Sequence, residues 1–216
     1  MAYNVGDLTL SIRKRIKDLS FDSSLILEYI QEVNNEVSNH NKMPFMQVDD
    51  NDYIAVESID YDLAANVETV LSVRLVDETT GNFILPYFVP YPAFYDTYSV
   101  NTDQTSVTPS FYTLFSDTII WPGKLDRTYN MYFKYLKRPT TLTDDASVPD
   151  VPERFKEIIL KGVLARVEDF RGNFDISAIY QRRYEDLVED MLVKVNILPN
   201  GMSHKARFGQ KSKIGW

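Results

Sequence analysis

The sequence predicts an α+β fold: a four-helix unit built from N- and C-terminal helical hairpins, with an inserted small antiparallel β-subdomain and an extended C-terminal tail. Three observations carry this. Apolar residues recur at three- and four-residue steps in two regions far apart in the chain, the pattern of one-sided helices. Between them the period changes to two, the pattern of half-buried strands. After Pro199-Asn200-Gly201 the chain turns basic and polar. The 216 residues suffice for one core with a subdomain. The expected parts are a helical hairpin over 1–48, the β-subdomain over 49–147, a second hairpin over 148–198 and the tail over 199–216.

In chain order, Asp7 is the expected cap of a short helix whose Leu8, Ile12, Ile16 and Leu19 share a face. Arg13, Lys14, Arg15 and Lys17 form its other side. That side is expected to be solvated, with contact to an acidic protein surface as the alternative. Asp22 or Ser23 caps the next helix, with Ile26, Ile30, Val33 and Val37 in one stripe. Residues 40–52 read as an acidic loop. Asp49, Asp50 and Asp52 do not make a calcium loop of the EF type, because its fifth, sixth and twelfth places hold Tyr53, Ile54 and Asp60.

Alternation begins at Tyr53. Val67–Val76 is β-branched, Asp77–Asn82 is a turn, and Phe83–Leu85 returns as a partner strand. Pro86, Pro90 and Pro92 forbid a central strand there. Residues 111–114, 118–121 and 128–136 read as three more strands, giving five or six in all, and 140–147 is a polar connector. Pro149 and Pro152 open a helix in which Phe155, Ile158, Ile159, Gly162, Val163, Val167 and Phe170 share a face. Arg166 is the one charge on it. Gly172-Asn173 stops that helix, and Asp175 is the expected cap of the last one. Its stripe is Ile176, Tyr180, Tyr184, Leu187, Met191 and Val195, with Leu187 and Met191 expected against Ile158 and Ile159. So short a connection makes the two helices antiparallel neighbours.

Composition excludes several classes. No apolar run approaches the roughly 20 residues that span a bilayer, so no membrane association is expected. The N-terminus lacks the regions of a signal peptide, so export is not expected. Zero cysteines exclude disulfides and thiolate metal sites. The two histidines, His40 and His204, have no ligand spacing. A net charge of −8 argues against a broad grip on phosphate. No phosphate-binding glycine loop, zinc-protease motif or nucleophile elbow occurs. The expectation is therefore no enzyme, no cofactor and no metal. Fourteen tyrosines and twelve phenylalanines suit strand packing or a large interface.

Several runs taken together carry a resemblance. They are Pro86–Tyr98, Ile119–Lys124, Met131–Thr143, Val148–Arg166, Gly172–Asp175 and Tyr180–Leu187. Their clearest part is the strand ending in Tyr135, Arg138 and Pro139, then a short acidic connector, Pro152-Glu153 and a long helix pair. In this order they resemble the head-to-tail adaptor proteins of tailed bacteriophages, over most of Asp7–Val195. The resemblance implies a structural virion protein of the neck, assembled in the bacterial host cytoplasm, with no catalytic residues. It implies a ring, usually of twelve copies, with the portal above and the next neck or tail protein below. Genomic DNA would pass through the ring without specific binding, and acidic copies suit a channel that repels phosphate.

Two candidate sites follow. The tail contributes Lys205, Arg207, Lys211 and Lys213 as cations for acidic portal side chains, with Phe208, Ile214 and Trp216 as apolar anchors. The resemblance implies that this end engages the portal; the segment is expected to order on binding, the alternative being a disordered end that only keeps the chain soluble. The aromatic segment Tyr87, Phe88, Tyr91, Phe94, Tyr95 and Tyr98 is the candidate subunit or tail interface. The alternative is a carbohydrate- or receptor-binding virion module in which the same aromatics stack on sugars.

Overall fold

The computed structural model describes residues 3–40, 43–97 and 107–195. In order these form α1 (Val5–Ile16), α2 (Ser23–Ser38), β1 (Gln47–Ile54), β2 (Asp60–Asp62), β3 (Val67–Asp77), β4 (Phe83–Ile84), β5 (Tyr87–Phe88), α3 (Tyr91–Thr97), β6 (Phe111–Phe115), β7 (Thr118–Ile120), β8 (Tyr129–Lys137), α4 (Lys156–Phe170) and α5 (Phe174–Val195). Single 3-10 turns precede β1 and α4. The chain divides into two units: one runs to Phe45 and resumes at Pro139, the other is Met46–Arg138.

The expected fold class is overturned. In place of four helices with a small antiparallel insertion, the described residues hold five helices and two four-stranded sheets. The sheets run β1-β8-β3-β4 and β2-β7-β6-β5, and β5 pairs with β6 in parallel. The acidic loop expected before Tyr53 is strand β1, which pairs with β8 over its whole length from Gln47↔Leu136 to Ile54↔Tyr129. Backbone hydrogen bonds hold it, and nearly all its side chains face solvent. Its carboxylates discourage further pairing at that sheet edge. Strands β2, β4, β5 and β7 span only two or three residues, too few to show a period. The segment around Pro90 and Pro92 is helix α3.

In the second unit, side chains from both sheets meet in one core. Val73 and Leu75 of β3, Met131 and Phe133 of β8, Tyr112 of β6 and Ile119 of β7 gather with Trp121, Leu125 and Tyr129. The expected turn after β3 forms around a single carboxylate. Asp77 accepts from the Thr79 and Thr80 amides, the Thr80 hydroxyl and Arg127 at 2.7 Å. Gly81, at φ +71, supplies the left-handed residue this turn needs.

The first unit is organised on α4. Its Ile158, Ile159, Leu160, Val163, Leu164 and Val167 are buried, so its apolar surface extends nearly all round. Helices α1, α2 and α5 each pack on it. Gly162 sets the closest approach. A Cβ at this position would lie 2.9 Å and 3.0 Å from the Val33 methyls of α2 and 3.1 Å from the Tyr184 ring of α5. Arg166, one turn on, spans to Glu32 at 3.1 Å and Glu36 at 2.8 Å on α2. The charge in the apolar stripe is therefore a clamp between two helices.

Helix boundaries differ from expectation at two starts. Asn4, not Asp7, caps α1 by accepting from the Asp7 amide at 2.8 Å. Helix α5 starts at Phe174, which places Asp175 inside its first turn. Gly172, at φ +77, does end α4, with the Asn173 amide donating to the Glu168 carbonyl. The α5 stripe is buried only in part. Tyr184 and Met191 are covered, Leu187 is half-buried and Ile176 is exposed. Leu19, expected on the α1 face, lies past the helix end and is 67% exposed.

The polar connector before α4 is bound on both sides. Gln31 of α2 donates to the Thr140 carbonyl and accepts from the Leu142 amide. Asn34, fully buried, exchanges hydrogen bonds with the Asp150 carboxylate and amide. The Val5 and Gly6 amides at the start of α1 donate to the Ser147 and Asp145 carbonyls, and the Tyr3 hydroxyl donates to Val151.

Two outcomes are expected. Replacing Gly162 by Ala gains about 1 kcal/mol of helix propensity but overpacks against Val33 and Tyr184 by about 1–3 kcal/mol, so the melting temperature should fall. In a Val33→Ala background the same change should cost less, since the two nearest methyls are gone and only the Tyr184 ring, 3.1 Å from the new Cβ, must give. Acid sensitivity follows from Asp77. Its hydroxyl, Arg127 and amide hydrogen bonds hold its carboxyl well below the usual carboxylate range. A depressed folded pKa contributes stability above the unfolded value of about 3.9 and loses it as pH falls further. Asp77→Asn should lower stability at pH 7 and lose less between pH 5 and pH 2, read by denaturant melts at each pH.

Candidate interaction surfaces

The aromatic segment forms a surface on the second unit. Strand β5 brings Tyr87 and Phe88 beside Phe111 and Tyr112 of β6, with ring centroids 5.5 Å and 5.7 Å apart. Helix α3 sets Tyr91 on Phe115 at 4.3 Å and beside Tyr95 at 6.0 Å. Tyr87, Phe88, Tyr95 and Phe115 remain at least half exposed. Phe94 is different: it is fully buried and meets Phe111 edge-on, so it fastens α3 to β6 from beneath. Tyr98 lies outside the described residues. The Tyr91 face is occupied by Phe115, which removes one platform on which a sugar could stack.

The first unit presents charge. Two of the four α1 cations are used at home. Arg13 donates to the Phe21 carbonyl and to the Ser23 hydroxyl, and Arg15 pairs with Glu157 of α4 at 2.9 Å. Lys14 and Lys17 are exposed. Arg171 reaches back from the end of α4 to the Ile16 carbonyl and to the buried Glu168, which also accepts from Asn173 at 2.6 Å. This closes the α4–α5 turn against α1. Beside that turn Phe170 and Phe174 are exposed, with Phe21 edge-on to Phe170 at 6.1 Å. Sequence periodicity assigned Phe170 to the core stripe, and the end of the helix carries it out of reach.

A groove of roughly 290 Å³ runs between α2 and α5. Val37, Tyr184, Val188 and Leu192 give it an apolar floor, Glu36, Glu185 and Glu189 form its rim, and His40 lies at one end. Burial, then the charge of Glu36, pushes the Tyr184 hydroxyl well above its ordinary range, so it stays a donor to Glu36. Sequence reasoning had no signal for this groove, since Val188 and Leu192 fall outside the stripe that faces α4.

Among the described residues no group of three or more His, Asp or Glu side chains is placed to hold a metal ion, and no helix is long and apolar enough to cross a membrane. The tail residues Lys205, Arg207, Phe208, Lys211, Lys213, Ile214 and Trp216 lie outside the described residues.

Exposed aromatics on one unit and mixed charge with apolar patches on the other describe a protein that works through contact with other proteins. The chain belongs to the SU10 adaptor protein family, whose model matches residues 3–202. That makes it a bacteriophage adaptor, a structural component of the virion. No curated protein matches the chain.

Phe94 and Tyr95 test how this surface is built. Phe94→Ala should cost about 3–5 kcal/mol as a core truncation. Tyr95→Ala, one residue on and exposed, should change stability by less than about 0.5 kcal/mol. Denaturant melts of the two variants check it.

Proposed function

We propose that this chain is a head-to-tail adaptor that forms a ring beneath the portal, joins it to the next neck or tail protein and continues the DNA channel. The observation that carries the reading is the family match over residues 3–202. The surfaces support it. A structural ring needs contact faces rather than a catalytic pocket, and the exposed rings of Tyr87, Phe88 and Tyr95 suit one. The net charge of −8 per chain disfavours adhesion to passing DNA. Twelve copies is the ring size the adaptor reading carries, with assembly in the host cytoplasm.

In this reading the tail makes the portal contact. Lys205, Arg207, Lys211 and Lys213 speed the encounter with acidic portal side chains, and Phe208, Ile214 and Trp216 supply the buried anchors. Deleting residues 202–216 should leave the chain folded and abolish attachment to the cognate portal in a co-sedimentation assay. Full-length chain that never co-sediments with portal particles would remove the portal from the reading. A truncated chain that attaches as well as the full-length one would remove the tail from it.

A further inference from the structure

The groove between α2 and α5 joins an apolar floor to an acidic rim: Glu36 is paired with Arg166 and Glu185 accepts from Gln181, and no described cation pairs with Glu185 or Glu189. Val37, Tyr184, Val188 and Leu192 form that floor, and among the described residues His40 is the one basic group lining the groove. Both helices end close to it, α2 at Ser38 and α5 at Val195. Helix C-termini carry partial negative charge; α5 has Lys194 in its last turn to offset it, and α2 has no basic residue there. Such a seat fits a short segment bearing cations beside an apolar side chain.

The chain carries such a segment next door. It leaves α5 at Val195, three residues beyond Leu192 of the groove. Pro199-Asn200-Gly201 is a turn sequence. His204, Lys205, Arg207 and Phe208 follow, with no acid from there to Trp216. The lengths agree. From Leu192 back to Tyr184 the groove spans about 12 Å of helix, and seven extended residues reach about 23 Å.

We propose that residues 202–208 turn back at Pro199-Asn200-Gly201 and lie in the α2–α5 groove of their own chain, with Lys205 and Arg207 on the acidic rim and Phe208 on the apolar floor. A linker this short gives the chain's own tail a millimolar effective concentration at the groove. A second copy in dilute solution cannot match that. The consequence is a latch. Cations held by Glu185 and Glu189 are withheld from any other acidic partner, so latching lowers the apparent affinity for that partner in proportion to the unlatched fraction, and release restores it. The inference concerns the isolated chain and stands whether or not the portal is the tail's final partner.

The absence of native cysteine makes the test clean. Ala206→Cys is paired in one full-length variant with Glu185→Cys, on the rim. In a second it is paired with Arg183→Cys, two residues away and about 200° round the helix. Both helix positions are exposed and almost equally far along the chain from the tail. Under mild oxidation with a glutathione redox buffer at micromolar protein, the 185–206 disulfide should form within the monomer at least tenfold faster than 183–206. That advantage should shrink severalfold at about 1 M salt, where the Debye length is about 3 Å. Equal rates for the two variants would overturn the proposal. So would disulfide-linked dimers as the main product of the 185 variant, which would assign the groove to a second copy's tail.

Discussion

The first unit depends on one missing methyl group. Gly162 lets α2 and α5 approach the α4 backbone together, with the Val33 methyls and the Tyr184 ring lying where a Cβ would stand. A larger residue would push at least one helix away, and with it the partners that lie along the same line. Arg166 reaches Glu32 and Glu36 only because α2 is this close. Burial of Tyr184 against the same glycine sets the depth of the α2–α5 groove. The connector then fastens α2 from the other side through Gln31 and Asn34. Close packing at α4 and a satisfied polar strap at the connector are two halves of one arrangement. Each holds α2 where the other needs it.

How much of this was legible in the sequence depended on the length of each element. The four long helices were read with the correct faces at their centres, because Ile26, Ile30, Val33 and Val37, or Ile158, Ile159 and Val163, repeat over several turns. Errors came at the ends, where Leu19, Phe170 and Ile176 keep the period but outrun the surface they would pack on. In the sheets, β3 and β8 were visible, with Met131, Phe133 and Tyr135 alternating inward. Strand β1 was invisible, because a strand held by backbone bonds at a sheet edge needs no apolar side chains. Two- and three-residue strands carry no period at all. Those losses changed the fold class, from a small antiparallel insertion to two four-stranded sheets.

The interaction surfaces were legible as composition and less so as geometry. The tyrosine-rich run was recognisable as a surface or a core, and the chain uses it as both. Phe94 is buried while its neighbour Tyr95 is 58% exposed, since one turn of α3 can face inward and outward at once. The basic side of α1 looked uniform, and packing divides it. Arg13 and Arg15 serve the fold, and Lys14 and Lys17 remain for solvent or a partner. The family, by contrast, was legible from the order of weak motifs, each of which on its own is only a strand end, a helix start or a core stripe.

An adaptor is defined by its place in the virion. Cryo-electron microscopy of purified virions, with symmetry-free reconstruction of the portal vertex, tests it most directly. A head-to-tail adaptor should give density for this chain as a closed ring directly below the portal, coaxial with the DNA channel and in contact with the next neck or tail component. Density for the chain on tail fibres or on the outer capsid surface, with another protein beneath the portal, would contradict it.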